Sequence, residues 1–225
     1  MKLRITVVAV VVFCAIGLWA WSGASTARAS DGPQAAESDA TYEYVGNKKC
    51  KSCHLDLFKS WAETPLGKAF ETLKPGHAKE AKEKFHLDPT KDYTADAKCL
   101  PCHTVGYGKP GGYEIPPAGD RRAARKAKNF QGVGCESCHG PGSGYVKIFE
   151  EIDESRRPYS DEELYAAGLR KMDKPVCVTC HSDKSPTFIP DAPFDFEKAM
   201  REFKSNPKGD DIKIHARQPL KLREG

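Results

Sequence analysis

Residues 135–139 read Cys135-Glu136-Ser137-Cys138-His139. The same C-x-x-C-H order returns as Cys50-Lys51-Ser52-Cys53-His54, Cys99-Leu100-Pro101-Cys102-His103 and Cys177-Val178-Thr179-Cys180-His181. This is the attachment signature of c-type haem. The two thiols add across the two haem vinyl groups as thioethers, and two intervening residues let one turn of chain set both sulfurs at one porphyrin edge. The next residue, histidine, then offers its imidazole to the iron as proximal ligand. The pattern predicts four covalent haems, held by the cysteines at 50 and 53, 99 and 102, 135 and 138, and 177 and 180, with His54, His103, His139 and His181 as proximal ligands.

Three plainer readings compete. Paired C-x-x-C is common in zinc sites, but zinc gives no reason for a histidine after every pair. Disulfides suit an exported protein, but bridges within pairs strain the backbone and bridges between pairs leave the histidines unexplained. A single chance match in a chain this long has a probability of roughly one in a hundred, so four independent matches are not chance.

The ends of the chain support export. Lys2 and Arg4 precede an apolar run from Ile5 to Trp21, and a small-residue stretch follows with Ala27-Arg28-Ala29. That order is a secretory signal peptide with an A-x-A cleavage site, so residues 1–29 are expected to be removed, residues 30–45 to form a loose leader, and residues 46–225 to form the tetrahaem domain. The rival is an uncleaved membrane anchor, because the run lies at the short edge of bilayer-spanning length. Cys14 falls inside the run and is removed with it, which leaves every remaining cysteine in a motif. Cleavage leaves 32 basic and 31 acidic side chains, a net charge of +1, with no long basic block of the kind that binds nucleic acid. Haem propionates and ferric cores together bring the oxidised holoprotein to about −3.

The composition is poor in aliphatic core formers and 29% charged, so the haems themselves are expected to supply most of the apolar centre. The motifs start at 50, 99, 135 and 177, too unevenly for a solenoid. The expected class is mainly α with abundant coil, wrapped around four closely stacked haems. Helices are predicted over about 55–73 with a break near Pro65, over 76–85, over 121–128 within a Gly/Pro-rich loop at 104–134, from a capping box at Ser160 to about Met172, and over 194–203. Strand signals are weak apart from short pieces near Tyr113.

A sixth iron ligand decides between electron transfer and small-molecule binding. The chain has seven histidines, four of them in motifs, so His77, His86 and His215 are the candidate distal ligands and at most three haems can be bis-histidine within one chain. Met172 and Met200 are weaker candidates, since a methionine is more often packing.

The chain resembles the tetrahaem cytochrome c-554 family. Lys48-Lys49-Cys50, Ser60-Trp61, Thr64, the ETLKP of 71–75, Glu80-Ala81-Lys82, the LDPTKDYT of 87–94, Gly111-Gly112-Tyr113 and the GVGCESCHGPG of 132–142 carry the resemblance. It implies a mainly helical fold around stacked haem pairs, a role taking electrons from a periplasmic oxidoreductase, three bis-histidine haems, and an open position at the haem of Cys99, Cys102 and His103. Leu66 stands where the family has one distal histidine, and no histidine lies between His139 and His181 where another is expected, so those two ligands do not carry over.

The sequence therefore predicts a periplasmic or otherwise exported electron carrier that is not an enzyme, partnered by a redox donor and acceptor, not by nucleic acid, and associated with a membrane only if the signal segment is retained. Two alternatives stand beside it. One is reduction of nitric oxide or a nitrogen oxyanion at an open haem. The other is self-association into an extracellular haem filament, with His215 as an inter-chain ligand.

Overall fold

The computed structural model describes residues 42–155 and 157–205. In chain order its helices are α1 (Asn47–Lys51), α2 (Leu55–Glu63), a 3-10 helix (Ala69–Leu73), α3 (Lys79–Lys84), α4 (Leu100–His103), α5 (Arg121–Lys128), α6 (Cys135–His139), α7 (Tyr145–Ser155), α8 (Asp161–Ala166), α9 (Lys174–Val178) and α10 (Phe196–Ser205). Among the described residues the only extended pairing is an isolated antiparallel bridge between Thr104 and Gln131. The mainly helical, coil-rich class expected from the sequence is the one observed. The strand signals near Tyr113 are not realised there. Tyr113 is instead buried, donates its N–H to the Val105 carbonyl at 2.9 Å and packs its ring against Phe70.

Local chemistry sets the helix ends. Pro65 disfavours helical backbone in the residue before it, and Thr64 is accordingly extended at φ −78°, ψ 161°, ending α2. Asp120 caps α5 by accepting from the Arg122 and Ala123 amides at 2.9 Å. Ser160 caps α8 through the Glu163 amide as the capping box predicts, but the helix stops at Ala166 rather than near Met172. Gly168 takes φ +96°, and the Leu169 and Gly168 amides return to the Leu164 and Tyr165 carbonyls, a Schellman ending. Helix α3 starts at Lys79 rather than Gly76, because Gly76 and Ala78 both hold positive φ. Helix α7 is a further element, absent from the sequence-based expectation.

Two small apolar clusters hold the body. Tyr44, Phe70, Leu73, Tyr93, Leu100, Val105, Tyr113, Ala127 and Phe130 form one. Tyr145, Leu164 and Ala167 form the other, with Ile148, Phe149 and Leu169 against them. Residues 42–47 strap these parts together. Glu43 donates its amide to Ser143 Oγ, Tyr44 to the Pro110 carbonyl, and Asn47 to the Asn129 carbonyl. Residues 42–45, the end of the expected leader, are thus bonded into the body.

Candidate haem-attachment centre

Each motif folds as a single helical turn. The His54 amide returns to the Cys50 carbonyl at 2.9 Å, His103 to Cys99 at 3.2 Å and His181 to Cys177 at 3.0 Å, while Cys135–His139 is itself helix α6. An i to i+3 step brings two side chains onto one helical face, and this repeated turn sets the paired sulfurs there.

The turns also meet one another. The Cys50 thiol lies close enough to that of Cys135 for the two to perturb each other, as does the Cys102 thiol to that of Cys180. Cys138, pushed up to about 11 by burial, also feels Cys177 and Cys180. The first motif therefore faces the third, the third neighbours the fourth, and the fourth faces the second. None of the eight motif cysteines is paired in a disulfide. Among the described residues no three His, Cys, Asp or Glu side chains converge as they would around a bare metal ion. Among the described residues neither a disulfide nor a converging zinc ligand set is present. Paired sulfurs on single turns, gathered in a body with little protein core, fit covalently held porphyrins.

The imidazoles are held in different ways. His103 is half-buried, and its Nδ1 lies 2.7 Å from the Ala69 carbonyl oxygen and 3.4 Å from Thr72 Oγ1. A carbonyl can only accept, so Nδ1 carries the proton and Nε2 keeps its lone pair for a metal. Burial also lowers the pKa of His103, which favours the neutral, ligating form. The ring of His181 stacks on Phe194 with centroids 4.4 Å apart. His54 is exposed, and the His139 carbonyl accepts the Arg170 amide at 2.9 Å.

Glu136 lies inside the third motif and is fully buried. Its Oε1 accepts from the Val45 and Gly142 amides, and Oε2 from the Gly46 amide at 2.7 Å. Burial raises its pKa, partly offset by these N–H groups, which favour the carboxylate. The side chain thus fastens the 42–46 strap and the Gly140-Pro141-Gly142 turn onto the attachment helix.

Of the candidate distal ligands, His215 lies outside the described residues. His77 and His86 do not share one continuous helix but flank the short α3. His77 lines a cavity of about 620 Å³ with Phe70, Asp92, Tyr113 and Gln131, and with the Thr94-Ala95 segment that leads into the second motif. His86 is exposed and occupies the left-handed position after α3, at φ +57°. Leu66 is 39% exposed, and its carbonyl accepts the Val133 amide at 2.9 Å, directly ahead of the third motif. The sequence offered no signal for the Ala69 carbonyl, Phe194 or the burial of Glu136.

A family model described as cytochrome c554 and c-prime matches residues 49–140. Cytochrome c-554 of Nitrosomonas europaea is 40% identical over 152 residues, 66% of this chain and 60% of its own length. The chain thus spans less than two thirds of that curated relative. The solved reduced state of cytochrome c554 from Nitrosomonas europaea superposes with a TM-score of 0.61 at 34% identity, covering 72% of this chain and 83% of the solved one.

Proposed function

Because this chain belongs to the cytochrome c554 family and carries four c-type haems, we propose that it is an exported electron carrier that takes electrons from a periplasmic oxidoreductase and delivers them to a downstream acceptor. When bound, the haems supply reversible one-electron redox chemistry over the physiological range. The chain's own residues supply attachment and spacing. Each cysteine pair fastens one haem, and His54, His103, His139 and His181 serve as proximal ligands. The observation that carries the reading is the contact order of the attachment thiols, first with third, third with fourth, fourth with second. Sites met in that order support a connected path for electrons with no substrate cleft required.

Export rests on the signal peptide at residues 1–29, with cleavage after Ala29. Four thioether attachments also suit a chain whose own apolar clusters are too small to bury four porphyrins by packing.

A spectroelectrochemical titration of the purified holoprotein tests the carrier reading. Reversible uptake of four electrons per chain supports it, and haems that stay ferric across the physiological range would sink it.

One observation favours a second reading beside the first. Three non-motif histidines serve four irons, and the two described ones, His77 and His86, flank a single short helix. At least one haem then lacks an imidazole sixth ligand from its own chain, and unless Met172 or Met200 fills that position it is open to a neutral diatomic. Carbon monoxide binding to the reduced protein checks this.

A further inference from the structure

Helix α5 carries five basic side chains in eight residues, Arg121, Arg122, Arg125, Lys126 and Lys128, and all five are exposed. Only Lys126 has an acidic partner among the described residues, Glu114 at 2.9 Å. The remaining four face solvent without one. This arrangement works against the helix. Arg121 and Arg122 sit at its positive end, relieved only by the Asp120 cap, and the Arg121–Arg125 and Arg122–Lys126 pairs are like charges one turn apart. The packing gains little in return, since Ala127 is the helix's sole buried side chain.

The far end of α5 is anchored on the haem-bearing turns. Ala127 lies in the apolar cluster with Leu100 of the second motif. The Asn129 carbonyl accepts the Asn47 amide, and Asn129 Oδ1 accepts the Lys48 amide at 2.6 Å, just ahead of Cys50. The Phe130 carbonyl accepts the Val105 amide at 2.8 Å, two residues past His103. A protein seated on α5 therefore lies against the first and second attachment turns. The cationic patch is local, since the whole mature chain is close to neutral.

We propose that helix α5 is the docking surface for the acidic face of a redox partner protein. The inference rests on the carrier reading above and adds where the partner binds. An anionic membrane is the weaker fit, because α5 presents only alanine among its cations, with no large apolar side chain to enter the lipid interface. Complementary charge steers diffusional encounter and is screened by salt.

The test uses the holoprotein and a reduced acidic [2Fe–2S] ferredoxin as probe, followed by stopped flow. Each transfer oxidises one ferredoxin cluster and reduces one ferric haem to ferrous. The wild-type second-order rate is expected to fall as salt rises, and R121Q/R122Q/R125Q/K128Q to be slower at low salt by at least about tenfold. Reduction by neutral duroquinol, which needs no docking, serves as the control and is expected to be equal in both proteins. Single R122E and R125E variants give the same ordering at smaller amplitude, should the fourfold variant fail to assemble. Equal ferredoxin rates in variant and wild type overturn the proposal. Loss of binding to phosphatidylglycerol vesicles with an unchanged ferredoxin rate also overturns it, and assigns α5 to the membrane. Failure of both donors to reduce the wild type would sink the carrier reading itself.

Discussion

His103 Nδ1 lies 2.7 Å from the carbonyl oxygen of Ala69, in the 3-10 helix that follows α2. The bond fixes the ring's tautomer and its orientation, so a histidine named by one sequence motif is aimed by a backbone atom outside that motif.

The second-motif haem is predicted to depend on this one imidazole. His103→Gly leaves the thioethers of Cys99 and Cys102 in place but removes the proximal ligand. The intact mass should stay that of the tetrahaem chain while the visible and EPR spectra change for one haem, and added imidazole should restore them. An unchanged spectrum would mean that His103 does not ligate.

Glu136 predicts a pH dependence with a definite sign. Burial raises its folded-state pKa above the ordinary 4.5, against the opposing pull of the Val45, Gly46 and Gly142 amides. Its stabilising contribution is therefore fully present below the unfolded value and is lost as pH rises through the folded one. Wild-type unfolding free energy should fall over that window, and the difference between wild type and Glu136→Gln should shrink with it. At the acid end the variant should be less stable by about 1–3 kcal/mol, because a Gln amide group cannot accept from three backbone donors. Denaturant titrations at several pH values check both the sign and the loss.

Two glycines separate close packing from backbone conformation. A Cβ on Gly112 would collide with the Gly106 carbonyl oxygen, a backbone atom that cannot swing away. A Cβ on Gly119 would meet nothing within 4 Å, although its φ of +81° disfavours any side chain. Gly119→Ala should cost about 1–2 kcal/mol for the left-handed conformation alone. Gly112→Ala should cost more, and thermal melts of the two holoproteins give the comparison.

Much of this architecture was legible in the sequence. The attachment turns follow from C-x-x-C-H spacing, and α5 runs over 121–128 because Asp120 caps an alanine- and arginine-rich stretch. The start of α8 at Ser160 was equally plain, but its end depends on the left-handed Gly168, which lies inside a stretch that reads as helical. Helix α7 carries Tyr145, Ile148, Phe149 and Ile152 at helical spacing, yet its acidic residues make it read as solvated chain. Glu136 was not legible at all. Its burial is created by the Val45 and Gly46 amides, some 90 residues away in the sequence, and no local pattern marks an acidic residue as the inner clamp of an attachment helix.

His86 offers a test in which stability and ligation point in opposite directions. It fills the left-handed position of a Schellman ending, with its own amide on the Glu83 carbonyl and the Leu87 amide on the Lys82 carbonyl. His86→Gly should relieve about 1 kcal/mol of backbone strain. If His86 also serves an iron, the same variant converts one low-spin haem to high-spin in the EPR spectrum of the ferric protein. Gained stability with an unchanged spectrum would remove His86 from the distal ligands.

The claim on which everything else depends is that four haems are bound covalently through the eight motif cysteines. Intact mass spectrometry of the purified holoprotein under denaturing conditions decides it, since only covalent groups survive. The expected mass is that of residues 30–225 plus four haems. A bare chain, with or without disulfides, would contradict it.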